Sequence, residues 1–395
     1  MPLSVLLVHQ SFPSQLSAVL EALEARGDVA LAGIGTNPYA RPGLRYRRYM
    51  PPLIEPRGDI VLDDLAAKAS FAAGAAAAAR ALRYDGFVPD VIVAHPGWGE
   101  SLYMRDLFPK AKIVCYCEFY YMRSGGEVDF DPEFTVTTPE ILHRMRARNA
   151  ITLASLEDAD ICVAPTNWQR ATFPDFLSGR MRVIHEGIEV PPAPPPRPRP
   201  AKGERRAVTF AARHLEPHRG FHIFMRALPR LLAADPTTDV VIVGSDKGGY
   251  GATPTDGRTW LEVFREEVGG LDPARVRVLG KLEPRRFHEV IGASSAHVYL
   301  TFPFVLSWSL LEAMALERPL VLSDTSPVRD FFDGGEGGKL VDFFDPAGLA
   351  DAVGSLLSRP ATARKMGVRA REMLFEHELT REHGRAKWLD LILSL

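Results

Sequence analysis

A chain of 395 residues is longer than one hydrophobic core usually organises, so two domains are expected. Its apolar fraction of 46% and charged fraction of 24% are those of an ordinary globular enzyme and exclude a disordered polypeptide. A formal net charge of −2 leaves no electrostatic footprint for nucleic acid, which needs a strongly basic face.

The first residues, MPLSVLLVHQSFP, read as a strand over Val5 to Val8, with His9 and Gln10 at its tip. They carry neither a basic n-region nor a small-residue cleavage site, so a cytoplasmic location is expected. Arg41, Arg45, Arg47 and Arg48 crowd the stretch from Tyr39 to Tyr49, and Arg144, Arg146 and Arg148 form a second group. Such runs read as solvated or salt-bridged surface, with contact to anionic lipid at a membrane face or to an acidic acceptor as the alternative. The low-polarity run from Ser70 to Ala81 is too short to cross a bilayer.

Further strands are expected over Val91 to Ala94, Ile113 to Cys117 and Ile161 to Pro165. In the second half they fall at Val208 to Ala211, Val240 to Val243, Val276 to Leu279, His297 to Leu300 and Leu320 to Ser323. Runs apolar throughout and separated by helix-period segments indicate parallel sheets covered on both faces. The fold class is therefore α/β, with two Rossmann-like domains. The first spans 1–190 and the second 206–377, joined by a Pro-rich linker at 191–205 in which proline enforces extended backbone. A closing helix near 378–395 has an apolar stripe, and its periodicity leaves open whether it returns to the first domain. Cys115, Cys117 and Cys162 have no CxxC or His-spaced ligand pattern and read as reduced core thiols. His377 and His383 likewise have no partner at metal-ligand spacing.

Several side chains stand where chemistry is expected. Arg213 follows a strand and Arg219 precedes a helix, so two guanidiniums and a helix start can converge on a diphosphate. Glu312 follows the strand ending near Tyr299 and the turn Ser307-Trp308-Ser309, which places it in the first turn of a helix at the carboxyl edge of a sheet. An exposed charge favoured by the helix dipole is the plainer reading. His95 ends a strand before Pro96-Gly97-Trp98-Gly99, with Glu100-Ser101 opening a helix, an anion-tolerant turn with a histidine at its lip. A structural hydrogen-bonding histidine is the alternative. Glu118 and Tyr120 end the next strand before a glycine pair. Gly248 to Gly251 reads as a loop that either borders a ligand or does nothing.

The order and spacing of ARHLEPHRG (212–220), VIHEGIEV (183–190), VIVG (241–244), VRVLGKL (276–282) and SLLEAMALERPLVLSD (309–324) resemble the family 4 retaining glycosyltransferases of the two-domain GT-B fold. The match covers nearly all of the second half and is only topological in the first. The resemblance implies two Rossmann-like domains facing a cleft, with Arg213 and Arg219 on the donor diphosphate, Arg219 standing where Lys is commoner. It implies Glu312 on the ribose hydroxyls, the backbone around Ser307, Trp308 and Ser309 near the phosphates, and Leu282 by the base. A family histidine that touches the donor sugar would be replaced by Glu118, with an ordinary salt-bridged glutamate as the competing reading. The family's Glu-x7-Glu signature is incomplete, because Phe304 occupies the place of its first glutamate.

The implied activity is transfer of a hexosyl group from a UDP- or GDP-type sugar donor to an acceptor hydroxyl with retention. It needs no metal and no cofactor beyond the donor, and serves polysaccharide or glycoconjugate synthesis. Donor residues lie in the second domain and acceptor loops in the first. A sugar-nucleotide epimerase or phosphorylase on the same scaffold, and a catalytically silent sugar-nucleotide-binding subunit, are the competing readings; Phe304 motivates the latter.

Overall fold

The computed structural model describes residues 2–194, 203–251, 253–332 and 335–395, so 195–202 of the expected linker lie outside the described residues. The chain divides into two compact units. One comprises the residues up to Arg123, Thr137–Gly187 and Glu378–Leu395; the other comprises Ser124–Val136 and Ile188–His377.

The first unit is built on β1 (Leu3–Val8), β2 (Val29–Gly35), β3 (Leu44–Arg48), β4 (Val91–Ala94), β5 (Lys112–Tyr116), β6 (Ile161–Ala164) and β7 (Arg182–Val183). They pair in parallel in the order β3-β2-β1-β4-β5-β6-β7. The order reverses between β1 and β4, the switch point where open α/β sheets take their ligands. On one face, the helix Ile60–Tyr84 lays Ala75, Ala78 and Ala79 against the sheet. Side chains this small let helix and strands approach closely, which explains the unusual alanine run. Asp59 caps that helix by accepting from the amides of Val61 and Leu62.

The opposite face is covered by the helix Ser17–Arg26 and by the closing helix Arg381–Leu393. The latter buries Trp388, Leu391 and Ile392 in the same core as Val5, Leu7 and Tyr116. Arg385 binds Glu21 through Nε at 2.9 Å and Nη2 at 2.6 Å. Gly384 is required at this contact, because a Cβ there would lie 2.5 Å from the Glu186 carbonyl oxygen.

The second unit contains β8 (Arg206–His214), β9 (Thr238–Ser245), β10 (Val276–Val278), β11 (Ala296–Tyr299), β12 (Leu320–Ser323) and β13 (Lys339–Val341). These are again all parallel, in the order β10-β9-β8-β11-β12-β13, with the reversal between β8 and β11. Its core includes a segment from the first half of the sequence. Phe130 sits 5.0 Å from both Phe302 and Phe343, Phe134 packs 4.8 Å from His222, and Glu133 chelates Arg226 at 2.6 and 2.8 Å. The chain thus leaves the first sheet after β5, contributes to the second unit over Ser124–Val136, and returns to the first in the helix Pro139–Glu157.

Candidate active site

At the second unit's switch point, a register irregularity between Ala211 and His214 interrupts the end of β8 and leaves Arg213 exposed. Arg219 stands just before the helix that starts at Phe221, as expected, but at 7% exposure it is buried. Its Nη1 donates to Thr301 Oγ1 at 3.1 Å and to the Val305 carbonyl at 2.9 Å. The rings of Phe304 and Tyr250 cover the guanidinium at 5.4 and 6.0 Å. Both Nη1 hydrogens are thereby spent within the protein and the Tyr299 hydroxyl also bonds the guanidinium, so what remains of Nε and Nη2 can meet an anion. Gly220 follows with φ +64, and a Cβ there would strike Leu300 at 2.4 Å.

Glu312 also departs from expectation. The helix begins at Trp308 and ends at Ala315, so Glu312 lies in its second turn and owes little to the dipole of the helix start. Its Oε1 meets His288 Nε2 at 3.2 Å. Burial pushes the carboxyl above its ordinary range, and His288 pulls it back in part. Ser307 caps the helix by accepting from the Ser309 amide and takes the Ser309 hydroxyl at 2.9 Å, while its own amide donates to the Tyr299 hydroxyl at 2.8 Å. Trp308 is 39% exposed beside it, and Leu282 is half-buried after β10.

The loop Gly248 to Gly251 is fastened rather than free. Buried Glu216 accepts the amides of Tyr250 at 2.7 Å and Gly251 at 3.2 Å, and a Cβ on Gly251 would lie 2.6 Å from the His218 ring. That tether holds Tyr250 over Arg219.

In the first unit, His9 follows β1 and His95 follows β4, so the two imidazoles flank the switch point with ring centroids 5.2 Å apart. Each Nδ1 accepts the backbone amide two residues on, from Ser11 at 3.0 Å and from Gly97 at 3.2 Å. That fixes both neutral tautomers with the proton on Nε2. His95 Nε2 therefore donates to Glu118 Oε2 at 3.2 Å, and Glu118 Oε1 accepts from Gln15 at 2.6 Å. Burial pushes the Glu118 carboxyl up, but His95, His9 and Gln15 together outweigh it and hold it below its ordinary range. His9, lowered to about 3 chiefly by burial, stays neutral; its buried Nε2–H makes no well-formed hydrogen bond among the described residues, with the Gln15 side chain interacting weakly beside it. A hydroxyl arriving there would find a carboxylate to donate to and an imidazole N–H to accept from.

The expected helix at Glu100-Ser101 does not form; turns lead instead to the short helix Met104–Leu107. Glu100 is fully buried and accepts from Tyr49 at 3.0 Å, which makes it a core group and not an anion-binding helix start. Cys115 and Cys117 are buried free thiols and Cys162 is half-buried. Among the described residues no cluster of His, Cys, Asp or Glu could hold a metal, and no helix is long and apolar enough to cross a membrane. Sequence reasoning missed His288, Glu216 and the buried N–H of His9. For His9, the position at a strand tip was the only available signal.

Two doubly wound parallel sheets in one chain are the GT-B architecture, and the comparisons agree. Residues 27–192 match the glycosyl transferase family 4 group and 205–359 match glycosyl transferases group 1. The chain thus carries a glycosyl transferase family 4 group domain followed by a glycosyl transferases group 1 domain. Over 179 residues it is 29% identical to phosphatidyl-myo-inositol mannosyltransferase of Mycolicibacterium smegmatis, a match covering 44% of this chain and 42% of that one. The chain spans half or less of the length of the first curated relatives it matches. Sucrose-phosphate synthase of Thermosynechococcus elongatus shares the fold with TM-score 0.70 at 17% identity, over 99% of this chain and 98% of that one. Anabaena HepE, solved with UDP-glucose, does so with TM-score 0.69 at 15% identity, over 99% and 100%.

Proposed function

We propose that this protein transfers a sugar from a nucleoside-diphosphate donor, of UDP or GDP type, to an acceptor hydroxyl with retention at the anomeric carbon. The observation that carries the reading is the arrangement at the end of β8 and β11, where exposed Arg213, half-covered Glu312 and the capped helix start at Ser307 gather on one sheet edge. Arg213 and the two remaining nitrogens of Arg219 neutralise the diphosphate, Glu312 takes the ribose hydroxyls, Trp308, Ser309 and their amides lie by the phosphates, and Leu282 lies by the base. HepE of Anabaena, which has this fold, is known with UDP-glucose, a donor of the proposed class.

Glu118 and His95 serve in the first unit as the hydroxyl-handling groups, with the carboxylate as acceptor and His9 Nε2–H as donor. His95 is given no base role, because its Nδ1 takes the Gly97 amide and its Nε2 faces Glu118. The donor is the only small molecule the reaction requires besides the acceptor, since the developing charge on the leaving diphosphate is met by fixed cations and amides.

The test is a thermal-shift screen against UDP, GDP, ADP and TDP sugars, because a ligand that binds the folded state raises its melting temperature by mass action. The reading expects one nucleotide to stabilise the protein, and Arg213→Ala to cost about 10²-fold in turnover with that donor. Silence towards all four nucleotides, or turnover in Arg213→Ala within about threefold of wild type, would overturn it.

A further inference from the structure

The helix Ile60–Tyr84 buries a cation, Lys68, at 8% exposure. Its Nζ donates to the Gly97 carbonyl at 2.6 Å and to the Arg148 carbonyl at 3.0 Å. Neither acid nearby bonds it, since Asp64 accepts from Arg144 and Arg148, and Glu100 accepts from Tyr49. Burial, with Arg148 adding to it, pushes the ammonium down to about 8. An apolar side chain of that length would fill the same space without the desolvation that a charge incurs. What the ammonium adds is its two bonds.

Those bonds end on the two segments that hold His95 and Glu118. Gly97 lies in the turn after β4, and its amide donates to His95 Nδ1 at 3.2 Å. No Cβ restrains Gly97 and none could be added, since it would lie 2.8 Å from His95 Cε1, so the orientation of its peptides is left to hydrogen bonds. The turn also presses on the Lys68 backbone: a Cβ on Gly99, at φ +103, would lie 2.5 Å from the Lys68 carbonyl oxygen.

Arg148 belongs to the helix Pro139–Glu157 and stands one residue before Asn149, whose side chain donates to the Tyr121 carbonyl at 2.8 Å and accepts its amide at 3.1 Å. Tyr121 is three residues beyond Glu118. One ammonium thus ties the turn after β4 to the helix that clamps the segment after β5. His95 and Glu118 meet at 3.2 Å between them.

We infer that Lys68 is a positioning residue of the proposed transfer, holding the turn 96–99 so that the Gly97 amide keeps His95 in its Nε2–H tautomer and aims that N–H at Glu118. It acts through those groups, and the inference rests on the reading of Glu118 as the acceptor of the hydroxyl proton. The tautomer is read from the imidazole nitrogen resonances of the whole chain with isotope-labelled histidines, the His95 signals being assigned by their loss in His95→Gln. Wild type should show the Nε2–H form alone, and Lys68→Met an average of the two neutral forms. Turnover should fall about 10- to 100-fold, the effect of moving a positioned group by about 1 Å. The donor KM and the nucleotide-induced melting shift should stay at wild-type values.

Unmoved His95 signals in Lys68→Met, or turnover within about threefold of wild type, overturn the inference. If Lys68→Met does not fold, Lys68→Gln, too short to reach either carbonyl, is read in the same way. Arg105→Met is the control, because it removes a cation that holds the Ala111 and Asp158 carbonyls, both at 2.7 Å, at the other end of β5. It should lose stability without moving the His95 signals or turnover. If it moves both as far as Lys68→Met does, the effect is a general loosening of the unit and the inference falls. Unmoved His95 signals beside a normal nucleotide shift sink this inference alone. A moved tautomer in a protein that no nucleotide stabilises sinks the transferase reading and leaves the tie from Lys68 to His95 standing.

Discussion

Both oxygens of Glu118 accept from donors, Gln15 on one side and His95 on the other, and no neutral group can replace that arrangement without conflict. Glu118→Gln keeps the shape but turns one acceptor into an NH2 that must face either the Gln15 amide nitrogen or the His95 Nε2–H. The expected result is a turnover loss on the order of 10²- to 10⁴-fold if Glu118 handles the acceptor proton, with about 1–3 kcal/mol of stability lost to the donor clash. Turnover measured beside a denaturation curve separates the two effects, and an active but destabilised variant would reduce Glu118 to a structural role. The strand-end positions of His95, Glu118 and Arg213, and the place of Glu312 on the helix after β11, were legible because a parallel strand's carboxyl end is a local property of the sequence. Their partners were not. His288 lies 24 residues from Glu312 and on another helix, while the approach of His9 to His95 depends on β1 lying beside β4. Burial of Arg219 beneath Phe304 and Tyr250 was equally hidden, since it follows from a tether formed by Glu216.

Among the elements, the closing helix Arg381–Leu393 shows how distant sequence completes a core. Trp388 is fully buried, with its ring 6.1 Å from Tyr116. Trp388→Ala should cost about 3–5 kcal/mol by cavity formation. Because the lost volume lies under β5, a thermal scan should show the first unit melting earlier while nucleotide protection of the second persists. If the melting profile is unchanged, the helix is not docked as described. The apolar stripe of this helix was readable, but its destination was not, since periodicity records that a face is buried and not against what. Strands behaved similarly. The Val- and Ile-rich runs of β1, β4, β9 and β12 declare themselves, whereas β2 (VALAGIG) is diluted by small residues and β3 (LRYRR) is charged because it borders solvent. The excursion of Ser124–Val136 into the second unit has no sequence signature beyond its two phenylalanines.

At the scale of the whole molecule, buried ionisable groups of both signs set how stability responds to acid. Burial lowers His9 and His297 to about 3 and His218 to about 4, all from an ordinary 6.5. Below 6.5 the unfolded chain binds protons that these imidazoles refuse, so each removes up to about 1.4 kcal/mol per pH unit as pH falls. Glu100, Glu216 and Glu312 act in the opposite sense: burial raises them above 4.5, so the folded state binds protons first and gains stability as pH drops towards that value. The two sets oppose each other above about 4.5, once pH has fallen into the raised range of the glutamates. Below that window the glutamates are protonated in both states and their contribution stops changing, while His9 and His297 continue to destabilise, joined by Asp235, whose carboxyl lies at about 2. Urea midpoints should therefore change modestly from about pH 6.5 to 5 and fall steeply below about 4.5. Glu216→Gln retains an acceptor for the Tyr250 and Gly251 amides but deletes one opposing group, so its decline should begin at a higher pH than that of wild type. A variant whose midpoint tracks wild type throughout would mean that Glu216 is not held as a raised, buried acid, and that the cover over Arg219 is built on some other contact.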